Sequence, residues 1–270
     1  MDDIYFHIGY RKTATSWLQN EVFLKSKDLN YIAKSDDNYP EWLIKLHYAD
    51  EIYYRKNKEN IKTRLNSLIK KNKINLISSE AFTNTGVIAE QALRIKDVAP
   101  KAKIIITLRD PIECLKSHYR HDLKEKTAIY PFKDYVDFKR TPFYIGKRER
   151  YYIPDYYYDE IIEFYSDLFG SSNVLVLKYE DLKKENEISK LENFLGVKLL
   201  DLVTHASSKK VNQGIAKDSL KNVLELNIKL KLKSNFNNID KINITTEEVV
   251  DNKTIENIIE NVSGKCYGYY

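Results

Sequence analysis

The hydrophobic pattern of the chain is a series of short apolar runs set between longer amphipathic stretches. The first run, Ile4-Tyr5-Phe6-His7-Ile8, is bounded by Gly9. A second, Ile74-Asn75-Leu76-Ile77, ends in Ser78, Ser79 and Glu80. A third, Lys103-Ile104-Ile105-Ile106-Thr107-Leu108, is the most continuous, and Val174-Leu175-Val176-Leu177 is a fourth. Short continuous apolar runs closed by turn formers predict strands buried on both faces, as in a parallel sheet. Asn30-Tyr31-Ile32-Ala33 predicts a further short strand.

The intervening stretches carry helical spacing. Trp17, Leu18 and Val22 predict a helix directly after the first strand. The segment 40–72 is helical and strongly charged, and its lysines form a solvated face. Ala89–Val98 is helical. Pro111 opens a helix that runs to about Lys124, with Ile112, Leu115, Tyr119 and Leu123 as its core stripe. Ile161, Ile162, Tyr165, Leu168 and Phe169 give an amphipathic helix that stops at Gly170. Ile188, Leu191, Phe194 and Leu195 give another, closed by Gly196. Residues 204–218 are polar and predict a loop, and two helical patterns follow, 216–232 and 246–262. Strands alternating with helices predict an α/β fold with a parallel sheet flanked by helices.

Composition narrows the class. With 270 residues the chain suits one large domain, 1–270. The net charge of +5 suits an acidic ligand and gives no argument for nucleic acid. No stretch approaches the roughly 18 uninterrupted apolar residues of a spanning helix. The acidic start enters a strand within four residues and lacks the basic and apolar regions of a signal peptide. Cys114 and Cys266 are far apart and give no disulfide framework. These features predict a cytoplasmic protein with no membrane span.

The candidate chemistry sits where the strands end. Between the first strand and its helix lies a turn carrying Arg11, Lys12, Thr13, Ala14, Thr15 and Ser16. The leading N–H groups of a helix have no internal partner, and its dipole favours an anion there. Lys12 adds a full charge, and the hydroxyls add rotatable donors. The spacing differs from the Walker pattern, because no glycine precedes the lysine and the lysine comes early. Glu80 follows the second main strand and Arg109 the third, in the crevice where open α/β sheets bind ligands. On the helix after Arg109, Cys114, Ser117, His118 and His121 share a face. His7 is expected to be a satisfied core histidine beneath the turn. Lys12, Glu80 and Arg109 with Ser117 thus give two anion sites and a base, which suits a nucleotide phosphorylated at both ends.

The segment Tyr10-Arg11-Lys12-Thr13-Ala14-Thr15-Ser16-Trp17 resembles the 5′-phosphosulfate loop of sulfotransferases that use 3′-phosphoadenosine 5′-phosphosulfate (PAPS). Arg109 to Tyr119, with Ser117 eight residues after the arginine, resembles the family's 3′-phosphate segment. Leu76 to Glu80 resembles the segment that supplies a glutamate base in carbohydrate sulfotransferases. Val174 to Leu182 resembles the late strand followed by Tyr-Glu-Asp-Leu. The ordered matches cover residues 4–182. Arg11 and Ala14 depart from the family's usual proline and glycine, and an alanine resists a left-handed turn.

The resemblance implies a P-loop-NTPase-like, three-layer sulfotransferase fold. It implies that Arg11, Lys12, Thr13, Ala14, Thr15 and Ser16 hold the 5′-phosphosulfate, that Arg109 and Ser117 hold the 3′-phosphate, and that Lys210 contributes from a later loop. Lys12 and Glu80 are the catalytic candidates it implies, with His118 and His121 as rival bases. No metal is implied. The acceptor it implies is a small molecule or glycan bearing a hydroxyl or amine, chosen by residues within 34–60 and 125–158. The alternative is a nucleotide-binding small-molecule kinase of P-loop-like fold.

Overall fold

The computed structural model describes residues 4–32, 40–83, 87–125, 132, 135, 157–207 and 222–227. The chain divides into two compact units. One comprises Met1–Arg109 with Tyr158–Val211, and the other Asp110–Tyr157 with Asn212–Tyr270.

The first unit holds a five-stranded sheet. Its strands are β1 (Ile4–His7), β2 (Leu29–Tyr31), β3 (Ile74–Ser78), β4 (Lys103–Leu108) and β5 (Val174–Lys178), in the order β2-β3-β1-β4-β5. Every pairing is parallel. The apolar runs that become β1, β3 and β4 are covered on both faces, β1 along its whole length, while the edge strand β5 is half-buried except at Leu177.

Strand register sorts the side chains. Tyr5 pairs with Leu76 and Lys103, and His7 with Ser78 and Ile105. Tyr5, Leu76, Ile105 and Leu177 belong to one core cluster with Trp17, Leu18, Val22 and Phe23. The same cluster takes in Ile188, Leu191 and Leu195 of α7 (Glu185–Leu195) and Val203 and Ala206 of α8 (Leu200–Ser207). The alternate positions Phe6, Ile77, Ile104 and Ile106 are equally buried but lie outside that cluster. The remaining helices of this unit are α1 (Thr15–Trp17), α2 (Glu41–Tyr48), α3 (Glu51–Leu68), α4 (Ile88–Val98) and α6 (Tyr158–Phe169). Helix α6 packs on β4 and β5 and against α4.

Four expectations are refined. The first helix is not a regular α-helix: α1 passes at once into a π-helix, Leu18–Phe23, with the Leu24 N–H donating to the Gln19 carbonyl at 3.0 Å. The wider turn still buries Leu18, Val22 and Phe23. The charged stretch 40–72 divides into α2 and α3, with the Asp50 carboxylate capping α3 by accepting from the Tyr53 N–H at 3.0 Å. The expected strand at Asn30 forms as β2. Residues 204–207, expected in a loop, end α8, because Val203 and Ala206 bury one turn apart and the Glu192 carboxylate accepts from the Leu199 and Leu200 N–H groups at its start. The pattern at 246–262 lies outside the described residues, and 222–227 within the 216–232 pattern are helical.

In the second unit, α5 (Pro111–Lys124) starts at Asp110, whose side chain accepts from the Glu113 N–H at 2.9 Å. Tyr119 packs against Phe132 and Tyr135, and the Tyr135 hydroxyl reaches Asp122. The Asn227 amide donates to the Leu123 carbonyl at 2.8 Å.

Candidate functional site

The strand order fixes where a site can form. From β1 the chain leads toward β2 at one edge, and from β4 it leads toward β5 at the other. The carboxyl ends of β1 and β4 are therefore a topological switch point, the crevice in which open α/β sheets hold ligands. The turn with Lys12 follows β1, and Arg109 follows β4.

The turn has an unusual backbone. Lys12 has φ 66° and Ala14 has φ 62°, the two non-glycine residues with positive φ among the described residues. A left-handed L-residue costs about 1–2 kcal/mol. Such strain persists where the surroundings over-determine it, and it clusters at ligand sites. Left-handed residues interleaved with others make the backbone N–H groups converge into an anion-binding nest. Ala14 therefore adopts the conformation its side chain disfavours, and the resisted left-handed turn forms nonetheless. The Ala14 carbonyl accepts from the Leu18 N–H at 3.0 Å, which holds it there.

Beneath the turn, the ends of β3, β1 and β4 present three polar side chains on one face. His7 Nδ1 lies 2.7 Å from Ser78 Oγ, and His7 Nε2 lies 3.1 Å from Thr107 Oγ1. Thr107 Oγ1 lies 2.9 Å from Thr13 Oγ1. His7 is fully buried, and burial pushes its pKa down to about 3. It is the satisfied core histidine its position suggests. Thr13 is also fully buried, with its hydroxyl donating to the Tyr10 carbonyl at 2.5 Å and its N–H to the same carbonyl at 3.3 Å. The Thr13 side chain is thus committed to the scaffold of the turn. Thr15 is buried, Lys12 and Ala14 are half-buried, and Arg11 and Ser16 are exposed. Gly9 has no room for a side chain: a Cβ there would lie 2.4 Å from Thr107 Oγ1, 2.7 Å from Thr15 Oγ1 and 2.9 Å from His7 Nε2.

Glu80 opens a 3₁₀ turn, Glu80–Thr83, at the end of β3, and is half-buried. The Thr83 hydroxyl lies 3.0 Å from the Glu80 carbonyl and 3.3 Å from the Gly9 carbonyl, so this turn leans on the start of the Lys12 turn. Phe82 anchors it, packing edge-on against Phe6 and against His47. The Glu80 carboxylate makes no hydrogen bond or ion pair with the described residues.

Arg109 joins the same cluster. Its Nη1 donates to the Lys12 carbonyl at 3.1 Å. Its guanidinium lies over the Tyr179 ring at 4.3 Å, and its Nε is 4.0 Å from Glu180 Oε1. The Tyr158 hydroxyl donates to the Arg109 carbonyl at 2.9 Å, while the Tyr158 ring meets Tyr10 edge-on. Arg109 Nε is buried and has no hydrogen-bond partner. The nearest acceptor to that N–H is therefore the Glu180 carboxylate. Tyr158, Tyr179 and Glu180 were not among the expected site residues. The Tyr-Glu-Asp-Leu stretch was a visible signal for two of them, and Tyr158 closes the stretch 125–158 that was expected to choose the acceptor.

Three other expected residues belong to the second unit. Ser117, half-buried, belongs to α5 in the second unit, as do buried His118 and exposed His121. Lys210 lies outside the described residues, as does most of the stretch 125–158 expected to choose the acceptor. Among the described residues no group of three or more His, Cys, Asp or Glu side chains is arranged to hold a metal ion. None of their helices is long and apolar enough to cross a membrane.

Comparison with known proteins gives the family and the fold. A family model described as "Sulfotransferase domain" matches residues 2–235. A solved sulfotransferase from Alicyclobacillus acidocaldarius is 20% identical, over 85% of this chain and 92% of that one, with a TM-score of 0.50. The sulfotransferase domain of the curacin biosynthetic pathway is 12% identical, over 97% and 98% of the two chains, with a TM-score of 0.49. At these identities the likeness concerns the fold, and the first of the two carries it. No curated protein matches the chain.

Proposed function

The chain belongs to the sulfotransferase domain family, and from that premise we propose that it moves the sulfuryl group of PAPS onto a hydroxyl or amine of a carbohydrate or similar small-molecule acceptor. The observation that supports this most is the meeting of the Lys12 turn with Arg109, whose Nη1 is bound to the Lys12 carbonyl while its buried Nε has no hydrogen-bond partner. Two cationic elements at one switch point suit a donor with a phosphosulfate at one end and a phosphate at the other.

In this reading residues 1–270 act as one sulfotransferase domain. The N–H groups of the turn from Arg11 to Ser16, with Lys12, hold the 5′-phosphosulfate. Thr15 and Ser16 lend hydroxyls, and Thr13 serves through the shape it gives the loop. Arg109 binds the 3′-phosphate, the group to which the family resemblance also assigns Ser117 and Lys210. Glu80 takes the proton of the acceptor as its oxygen or nitrogen attacks sulfur. A bond forms between the acceptor atom and sulfur, and the bond from sulfur to the bridging phosphate oxygen breaks. Lys12 neutralises the charge that gathers on that oxygen, and 3′,5′-adenosine bisphosphate leaves. Positioning and fixed charge do most of this work. The kinase alternative lacks its Walker glycine, and the family match leads away from it.

Transfer of label from PAPS to a panel of sugars, amines and phenols tests the proposal, with Lys12→Ala and Glu80→Gln run alongside. Labelled sugar product that falls sharply in both variants is the expected result. Full turnover in both would overturn the assigned roles, and labelling confined to phenols would overturn the carbohydrate reading.

A further inference from the structure

The buried side chains under the donor turn form an ordered chain whose hydrogens can be counted. Thr13 Oγ1 is 2.5 Å from the Tyr10 carbonyl oxygen, and since a carbonyl carries no hydrogen, Thr13 must donate. A hydroxyl has one hydrogen, so at 2.9 Å Thr107 must donate to Thr13. The single hydrogen of Thr107 is then spent, and His7 Nε2, at 3.1 Å, must donate to Thr107. A neutral imidazole that carries its proton on Nε2 accepts at Nδ1, so Ser78 donates to it at 2.7 Å. Ser78 Oγ in turn accepts from the Gln19 amide at 3.0 Å. The sequence of donation runs one way, from Gln19 through Ser78, His7, Thr107 and Thr13 to the Tyr10 carbonyl.

We propose that His7, fixed as the neutral Nε2–H tautomer, is a positioning residue for sulfuryl transfer that locks the Lys12 turn to the strand ends bearing Glu80 and Arg109. The inference rests on the donor and base roles given above to Lys12, Arg109 and Glu80. Its members are placed for this work. Thr13 adjoins Lys12, Thr107 is two residues before Arg109, and Ser78 two before Glu80. The three polar side chains extend from neighbouring strands β3, β1 and β4. The turn lies directly on the chain, because Gly9 passes so close to Thr107 and His7 that a Cβ would collide with both. Full satisfaction of a buried polar network makes it rigid, and breaking one member leaves the others unpaired. Burial keeps the imidazole neutral, so the chain keeps its direction through the neutral pH range.

Nitrogen-15 NMR of the histidine side chains, together with the variants Thr107→Val, Thr107→Ser and His7→Phe, tests the proposal. Thr107→Val keeps the shape and removes the central hydroxyl, so it serves where His7→Phe fails to fold. For the native protein, His7 is expected to show a protonated Nε2, a bare Nδ1, and no titration between pH 5 and 8. In Thr107→Val, affinity for 3′,5′-adenosine bisphosphate and kcat are expected to fall about ten- to a hundredfold, in the range of lost positioning. KM for the acceptor should hold, and Thr107→Ser should restore both losses. A protonated Nδ1, a charged imidazole at neutral pH, or native affinity and kcat in Thr107→Val would overturn the proposal. Failure of the native protein to bind the bisphosphate would overturn the donor-site reading and the positioning role with it, while the tautomer seen by NMR would stand.

Discussion

Arg109 and Lys12 are 97 residues apart in sequence, yet Arg109 Nη1 donates to the Lys12 carbonyl at 3.1 Å. The bond ties the end of β4 to the turn after β1, and it helps to hold Lys12 in its left-handed conformation. One guanidinium therefore shapes the loop and still has donors to offer a ligand. Arg109→Lys should be costly for that reason, since an ammonium cannot supply a planar fork. Affinity for the bisphosphate is expected to drop at least tenfold by calorimetry, and unchanged affinity would mean that Arg109 is only a strut.

Lys12→Ala should act mainly on turnover. A charge placed against a developing oxyanion is worth about a hundred- to a thousandfold in kcat. Steady-state kinetics should show kcat falling more than the KM for PAPS rises. A change in KM alone would assign Lys12 to binding and not to catalysis.

The donor turn stores strain that a substitution can relieve. Ala14 sits at φ 62°, where glycine pays no steric cost. Ala14→Gly is expected to stabilise the fold by roughly 0.5–1 kcal/mol, after the extra freedom of the unfolded chain is set against it. That corresponds to a rise of a few degrees in Tm for a chain of this size. Ala14→Val should lower Tm. Calorimetric melting of both variants decides the matter, and a lower Tm for the glycine variant would contradict the strain.

Gly9→Ala should do the opposite. Its methyl would press on the Thr107 and Thr15 hydroxyls and the His7 ring. Overpacking of this kind costs about 1–3 kcal/mol. A loss of Tm and of bisphosphate affinity together is the expected result.

Acid stability should report His7 and His47, two buried histidines whose pKa is lowered. Burial lowers the pKa of His7 from 6.5 to about 3. Burial also takes His47 from 6.5 to about 4, with the charge of Arg94 adding to the effect and a hydrogen bond to Gln91 opposing it. Below pH 6.5 the unfolded chain binds these protons and the folded chain does not. Stability should therefore fall with pH by about 1.4 kcal/mol per unit for each histidine, from pH 6.5 down to about 4 for His47 and about 3 for His7. Urea unfolding at pH 7 and pH 5 measures the slope, and His47→Leu should reduce it by about half.

The strands were legible because a parallel sheet buries both faces, so β1, β3 and β4 appear as short, mostly apolar runs broken only by His7, Asn75 and Thr107 within them. The strand-end positions of Arg109 and Glu80 were legible, since Arg109 follows β4 directly and Glu80 follows β3 after Ser79. The turn was legible by residue type but not by shape. Nothing about an alanine or a lysine signals a left-handed conformation, which bonds from Arg109 and Leu18 impose from outside. The π-helix was hidden for a similar reason, since Leu18, Val22 and Phe23 satisfy its core as well as they would an α-helix. The inward orientation of Thr13 depends on Thr107, and the support of Arg109 depends on Tyr158 and Tyr179, all distant in sequence.

Calorimetry of the native protein and Arg109→Ala with 3′,5′-adenosine bisphosphate and with adenosine 5′-monophosphate is the most direct measurement of a doubly anionic donor site. Loss of the 3′-phosphate is expected to weaken binding to the native protein at least tenfold and to matter little once Arg109 is gone. Equal affinity of the native protein for both nucleotides, or binding of neither, would contradict the pairing of the Lys12 turn with Arg109 as a PAPS site.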